Sequence, residues 1–231
     1  MKKLVLVPAL LGVVAACAQN SWGIKGGMTL GSALHHLQTV RQFHYPQAGY
    51  YLGLLREIPC GVSGETFVVP SLELAQRGYT DQVYTGSQVT GRHKLQVTHT
   101  IFSLGLAKKV ALGRGGTRLY AALVPYAGYG LGGKEKYLGG AADSTFSLSF
   151  GEERRSWKRD TAGKFLRQGN DLVRLDAGAG MSLGVELASG LRLEGSYRLS
   201  LRNNLPAGTA ENRLRFTGFS VGLTYIITNY Y

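Results

Sequence analysis

Cysteine is nearly absent: Cys17 and Cys60 are the only two in 231 residues, which excludes a disulfide scaffold and a four-thiolate zinc site. Long apolar runs are scarce as well. Beyond the N-terminus no stretch approaches the roughly 20 residues a helix needs to cross a bilayer, and a mean hydropathy of −0.04 is too low for a bundle of such helices. No window carries the 3.6-residue period of an amphipathic helix. Acidic residues are a minority, 14 against 26 Lys and Arg, for a net charge of +12. Glycine, by contrast, is plentiful: 33 residues, about twice ordinary usage. With 44 % apolar residues the composition argues against intrinsic disorder. Two classes survive, a soluble β-rich domain and a transmembrane β-barrel that spreads its apolar surface in alternation.

The N-terminus sets the compartment. Lys2 and Lys3 precede an apolar stretch from Leu4 to Ala15, broken by Pro8, and Ala16-Cys17-Ala18 forms a small-residue cleavage signature. Residues 1–18 read as a signal peptide and residues 19–231 as the exported domain. Val14-Ala15-Ala16-Cys17 also fits a lipobox, in which a lipidated Cys17 would start the mature chain. Cleavage after Ala18 is favoured because a strand pattern begins almost at once, at Trp22, and it leaves Cys60 as the only thiol.

The body alternates with period two. Trp22, Ile24, Met28 and Leu30 share one face, with Lys25 and glycines on the other; Tyr50, Leu52 and Leu54 repeat the pattern. Val68, Pro70, Leu72 and Leu74 oppose Ser71, Glu73 and Arg77. Residues 94–107 alternate poorly. Leu119, Ala121, Leu123, Ala127, Tyr129 and Leu131 oppose Tyr120, Ala122, Tyr126, Gly128 and Gly130. Leu175 to Val185 opposes Asp176 to Glu186, Leu191 to Leu201 opposes Arg192, Glu194 and Arg198, and Phe219 to Ile227 closes the series. Eight strands result. Pro125 lacks a ladder donor, so a bulge or register break is expected there. A parity switch is expected near Thr217 or Gly218, because Leu214 and Phe216 are even while Phe219 and Val221 are odd.

Connections sort by parity. Short ones (Ile58 to Glu65, Val110 to Gly116, Ala188 to Gly190) alternate with long ones (Gly31 to Gln47, Tyr79 to Gly91, Lys134 to Asp171, Arg202 to Asn212). Short periplasmic turns, long extracellular loops, an even strand number and periplasmic termini describe an outer-membrane barrel. A sandwich has no reason to sort its loops this way. The expected fold is therefore an all-β, eight-stranded, antiparallel up-and-down transmembrane β-barrel, with a long extracellular loop at about 134–171.

The second face of the strands carries mainly Gly, Ser and Thr, which suit a narrow lumen. Lys25, Glu73, Arg77, Asp176, Glu186, Arg192, Glu194 and Arg198 would meet there as a lumenal charge network. Trp22, Tyr50, Tyr129, Tyr197 and Tyr225 suit interfacial girdles.

Several motifs carry a family resemblance: Trp22-Gly-Ile-Lys-Gly-Gly-Met-Thr, Pro70-Ser-Leu-Glu-Leu-Ala-Gln-Arg-Gly78, Val124-Pro-Tyr-Ala-Gly-Tyr-Gly130, Asp176-Ala-Gly-Ala-Gly-Met and Tyr197-Arg-Leu-Ser-Leu-Arg-Asn203. In order and spacing, over roughly residues 20 to 228, the chain resembles the PorT-like outer-membrane β-barrel proteins of the Bacteroidota. The resemblance implies an eight-stranded outer-membrane barrel with no defined catalytic role, some relatives being similar to components of protein secretion. The Lys134 to Asp171 connection is longer than that pattern requires.

Chemistry has few footholds. His35 and His36 are adjacent and point apart in an extended strand, and no carboxylate sits at ligand spacing, so neither a metal nor a cofactor is expected. His99 and Ser103 share a strand face and could imitate a hydrolase at the barrel rim, without an acidic partner. In the longest connection Arg154, Arg155, Trp157 and Arg159 form a candidate docking loop for a protein partner, while the simpler reading is contact with lipopolysaccharide phosphates. Ser144, Phe146, Leu148 and Phe150 alternate as a hairpin extending strand five. Nucleic acid is not an expected partner, since the basic residues form no single stripe. The favoured function is a non-enzymatic outer-membrane barrel with a structural or interaction role, in contact with membrane lipid and lipopolysaccharide. The alternatives are a small pore and a rim hydrolase.

Overall fold

The computed structural model describes residues 21–37, 40–60, 64–85, 88–139, 144–151, 156–159, 165–168, 171–209 and 212–228. The expected signal peptide, Cys17, Arg154 and Arg155 lie outside the described residues. The described segments are β1 (Ser21–Leu37), β2 (Val40–Phe43), β3 (Tyr45–Cys60), β4 (Thr66–Thr85), β5 (Gln88–Ala111), β6 (Arg118–Leu123), β7 (Tyr126–Leu138), β8 (Ser144–Ser147), β9 (Ser156–Arg159), β10 (Phe165–Gln168), β11 (Leu175–Glu186), β12 (Leu191–Ser200) and β13 (Asn212–Thr228).

The sheet closes on itself. Going round, β1 pairs β3, then β4, β5, the β6/β7 pair, β11, β12 and β13, which returns to β1, every contact antiparallel. With β6 and β7 sharing one place, the ring has eight positions, so among the described residues the ring itself has no open edge. Each of the eight expected strands occupies one position.

Outside faces are apolar. Trp22, Met28, Leu52, Leu72, Phe102, Leu123, Leu183, Leu193 and Leu223 are all exposed, Leu52 to 61 % and Leu183 to 62 %. Inside, Lys25, Glu57, Glu73, Lys109, Asp176, Arg192 and Thr224 are buried. This is the inverse of a water-soluble barrel and is the polarity of one that spans a membrane, lipid-facing apolar and lumen-facing polar residues alternating along each strand.

Three expectations about regularity need correction. Pro125 shifts nothing: β5 pairs Leu106 with Leu123 and Ser103 with Tyr126, one unbroken register, and β11 pairs Met181 with Leu123 and Gly178 with Tyr126 in the same way. The proline carbonyl still accepts from Leu104 N at 3.1 Å, so the ladder loses a donor without moving. The irregularity falls instead opposite Thr98 and His99, which pair with Gly132 and Gly130 and leave Leu131 as the extra residue. Second, β13 runs in one register with β1 from Ser21–Thr228 to Leu37–Asn212, with no switch at Gly218; even-numbered side chains face inward throughout. Third, residues 94–107 do alternate: Leu95, Val97, His99, Ile101 and Ser103 are buried while Phe102, Leu104 and Leu106 are exposed. Their inward face mixes apolar with polar residues, which hid the period.

Two of the long connections, Gly31 to Gln47 and Tyr79 to Gly91, are largely strand among their described residues. β4 continues to Thr85 and β5 starts at Gln88, so the expected Tyr79 to Gly91 loop is a tall hairpin. β1 runs on to Leu37 and pairs β2. β8 pairs β7, Tyr137 opposite Ser144, as the hairpin expected there. The interior of this end is a hydrophobic core of Ala33, Tyr79, Leu95, Val97, Leu148, Leu172, Leu214 and Phe216.

Candidate functional site

The lumen is the site that the fold builds. At the short-turn end, Lys109 Nζ lies 2.5 Å from Glu57 Oε2 and 2.7 Å from Glu186 Oε2. Arg192 reaches Glu57 at 2.8 Å and Glu194 at 3.2 Å, and its guanidinium covers the Tyr120 ring at 3.8 Å. A middle tier follows. Glu73 Oε1 accepts from Lys25 Nζ at 2.6 Å and from Arg198 at 2.7 Å, with Ser71 and Ser103 hydroxyls joined at 2.6 Å beside it. Higher still, Asp176 accepts from Arg77 at 3.1 Å, Tyr126 at 3.2 Å and Ser200 at 2.5 Å.

All eight residues expected in the lumen are thus ion-paired there, in three tiers. Glu57 and Lys109 were missed, while Tyr126 and Ser200, both on the inward faces of their strands, join the network at Asp176. Glu57 and Lys109 have the parity of the inward residues on their own strands, so extending the alternation past the clearest apolar positions finds them.

Among the described residues, charge in the lumen balances. Lys25, Arg77, Lys109, Arg192 and Arg198 face Glu57, Glu73, Asp176, Glu186 and Glu194, five against five. Removing any one partner leaves a buried charge uncompensated, at a cost of about 3–5 kcal/mol. Among these side chains the space between Glu73, Arg77, Glu194 and Arg198 is about 20 Å³, room for one or two waters.

The far mouth is filled. Leu148 and Leu172 enter the apolar core, Leu148 N donates to Gly133 O at 3.0 Å, and the Asp171 carboxylate accepts from Ser149 N at 2.9 Å. Gly130 exists for this packing: a Cβ there would meet the Phe150 ring at 2.7 Å. From the other side Asn204 N donates to Leu214 O at 2.8 Å and Leu205 packs on the same core.

A second polar cluster sits beyond the apolar belt, inside the tall hairpins. Asp81 bonds His44 Nδ1 and lies 4.0 Å from His93 Nδ1, while His93 Nε2 is 2.8 Å from Glu135 Oε1. Burial works against a charged His93, but the bonds to Asp81 and Glu135 outweigh it and hold the imidazole up to about 9. Burial likewise works against ionised Asp81, yet the bonds from His44 and His93 bring it down to about 2. No carboxylate partner for a histidine was expected. His44 lies at the β2–β3 junction, far in sequence from Asp81, and Asp81 meets His93 across the β4–β5 hairpin, so only the sheet register reveals the cluster. Among the described residues no group of His, Cys, Asp and Glu has metal-binding geometry.

His99 and Ser103 are inside the lumen, not at its rim, 2 % and 1 % exposed. Four residues apart on one strand, they are separated by about 13 Å, too far for a serine–histidine relay. Of the candidate docking loop, Trp157 and Arg159 lie on β9, which pairs β10 as Arg167 opposite Trp157.

No protein-family model matches the chain, and no curated protein matches it. Solved structures similar to it include Ail, the attachment invasion locus protein of Yersinia pestis, in complex with the heparin analogue sucrose octasulfate (12 % identity, TM-score 0.42, 90 % of this chain and 99 % of that one). Neisserial surface protein A is similar at 10 % identity and a TM-score of 0.40, over 88 % and 96 % of the two chains. The outer membrane protease OmpT from Escherichia coli is similar at 11 % identity and a TM-score of 0.41, over 92 % and 98 %.

Proposed function

We propose that this chain is a non-enzymatic integral outer-membrane β-barrel, exported by its N-terminal signal, with periplasmic termini and a structural or interaction role in the envelope. The observation that carries the reading is its inverted polarity: a belt of exposed Leu, Phe and Tyr outside a ring whose lumen, among the described residues, holds five cations and five carboxylates. Only hydrocarbon outside makes that arrangement stable. The balanced, side-chain-filled lumen and the mouth plugged by Leu148, Leu172 and Leu205 favour a closed scaffold over a pore, since conducting pores line an open path with charges or carbonyls of one sign. The separation of His99 from Ser103 favours it over a rim hydrolase. The PorT-like motif order supports membership of a secretion or envelope assembly, and the 134–171 segment with Arg154, Arg155, Trp157 and Arg159 is the proposed surface for a protein partner.

Outer-membrane fractions give the test. The expected result is faster electrophoretic migration of the unheated chain, a larger complex in mild detergent, and silence in planar-bilayer conductance. A soluble periplasmic chain without a heat shift overturns the barrel reading, and stepwise conductance overturns the closed scaffold.

A further inference from the structure

Above the apolar belt, one outward face of β5 and β7 is cationic. Lys94 stands directly opposite Lys136, and Gln96 opposite Lys134, across the antiparallel pair. Lys134 and Lys136 are exposed, Arg92 continues the row on β5, and Gln47 closes one side of a depression of about 200 Å³. Like charges directly opposite on neighbouring strands are destabilising. Among the described residues no carboxylate relieves them: the nearby acids, Asp81 and Glu135, face inward and hold His44 and His93. Among the described residues, none of the three ammonium groups has an ion pair.

Below this depression the same outward face turns apolar. On β7 the next outward residues are Leu131 and Tyr129, 53 % and 44 % exposed, and on β5 they lead to Phe102 and Leu104. Lys134 is three residues from Leu131, about 10 Å along the strand. A cationic hollow stacked on a lipid-facing apolar strip matches a molecule with phosphate groups above and acyl chains below.

We infer that Lys94, Lys134 and Lys136, with Gln47 and Gln96, form a binding site for a phosphorylated glycolipid headgroup of the outer leaflet. The lysines take the phosphate oxygens as charge-assisted hydrogen bonds, the glutamines take sugar hydroxyls, and the acyl chains descend along Tyr129, Leu131 and Phe102. This rests on the membrane placement proposed above and adds to it one defined site on the barrel wall.

The full mature barrel in detergent is titrated with bisphosphorylated lipid A, with dephosphorylated lipid A and with inorganic phosphate, and adducts are read by native mass spectrometry. Lipid A is expected to bind one equivalent. The triple variant Lys94→Gln, Lys134→Gln, Lys136→Gln should weaken it about 100-fold, roughly five-fold per lysine at an anionic lipid surface. Lys108→Gln, exposed on the same face of β5 near its other end, should leave binding unchanged. Retention of the heat shift in each variant shows that the barrel is folded. Equal binding by the triple variant, equal binding of dephosphorylated lipid A, or displacement of the lipid by millimolar inorganic phosphate each overturns the site. Loss of the heat shift in the unmodified chain would instead overturn the membrane reading.

Discussion

Along β13 the even-numbered side chains point inward from end to end, yet their chemistry reverses midway. Ser220 and Thr224 face the lumen in the lower half, where Phe219, Val221, Leu223, Tyr225 and Ile227 are exposed outside. Past Thr217 the inward residues are Phe216 and Leu214, 1 % and 2 % exposed, and the other face carries Arg215 and Arg213. β1 and β5 make the same exchange, from Lys25 to Ala33 and from Lys109 to Val97. Strand geometry is constant, so the surroundings differ. Where hydrocarbon lies outside, burying an apolar side chain gains nothing over leaving it in lipid, and ion pairs cross-link the interior. Where water lies outside, the hydrophobic effect fills the interior. One barrel wall thus contains a membrane protein and a soluble β-protein in series, and the level of inversion marks the interface.

The contrast can be broken most forcefully from the lumen. Glu73→Ala strands Lys25 and Arg198, and the expected loss is about 3–5 kcal/mol, read from urea titrations of the folded band in detergent; an unchanged midpoint would show that the pairs contribute nothing. Leu214→Ala attacks the outer core, with an expected loss of about 2–5 kcal/mol confined to that half. Protease should then cut the tall hairpins while the heat-shifted barrel survives, and simultaneous loss of both would show a single cooperative unit. Leu223→Arg puts a charge on the lipid face and should cost about 2–4 kcal/mol. Thr80→Glu, on the outward face above the belt and opposite Lys94, should stay within about 1 kcal/mol, so a cost there equal to that of Leu223→Arg would erase the boundary.

The smallest expected effect is on pH. His93, raised to about 9 from an ordinary 6.5, stabilises the outer half fully below pH 6.5, and that contribution fades as pH rises through 9. Asp81, lowered to about 2 from 3.8, contributes above pH 3.8 and fades as pH falls through 2. Hydrogen exchange of β4 and β5 amides, corrected for intrinsic rates, should therefore accelerate between pH 7 and pH 10, and His93→Gln should remove that step.

Much of this was legible residue by residue. The lumen residues followed from alternation, because a period of two assigns a face without knowledge of the neighbours. Lys109 was missed because Leu95, Val97 and Ile101 on the same inward face blurred the period. The switch expected at Gly218 came from assuming that apolar means one face throughout; Leu214 and Phe216 kept their parity and changed their surroundings. At Pro125 the sequence suggests a geometric break from the missing donor, but one absent hydrogen bond leaves the flanking register intact on both sides.

Local period and side-chain chemistry alone specify the all-β class, the eight strands, the outward belt and the inward face of the eight charged residues. Barrel closure sets which charge meets which, the filling of the mouth by Leu148, Leu172 and Leu205, the His44–Asp81–His93–Glu135 cluster and the lysine hollow on β5 and β7. Those depend on strand register and barrel closure, which bring together residues many tens of positions apart, and no local pattern encodes such separations.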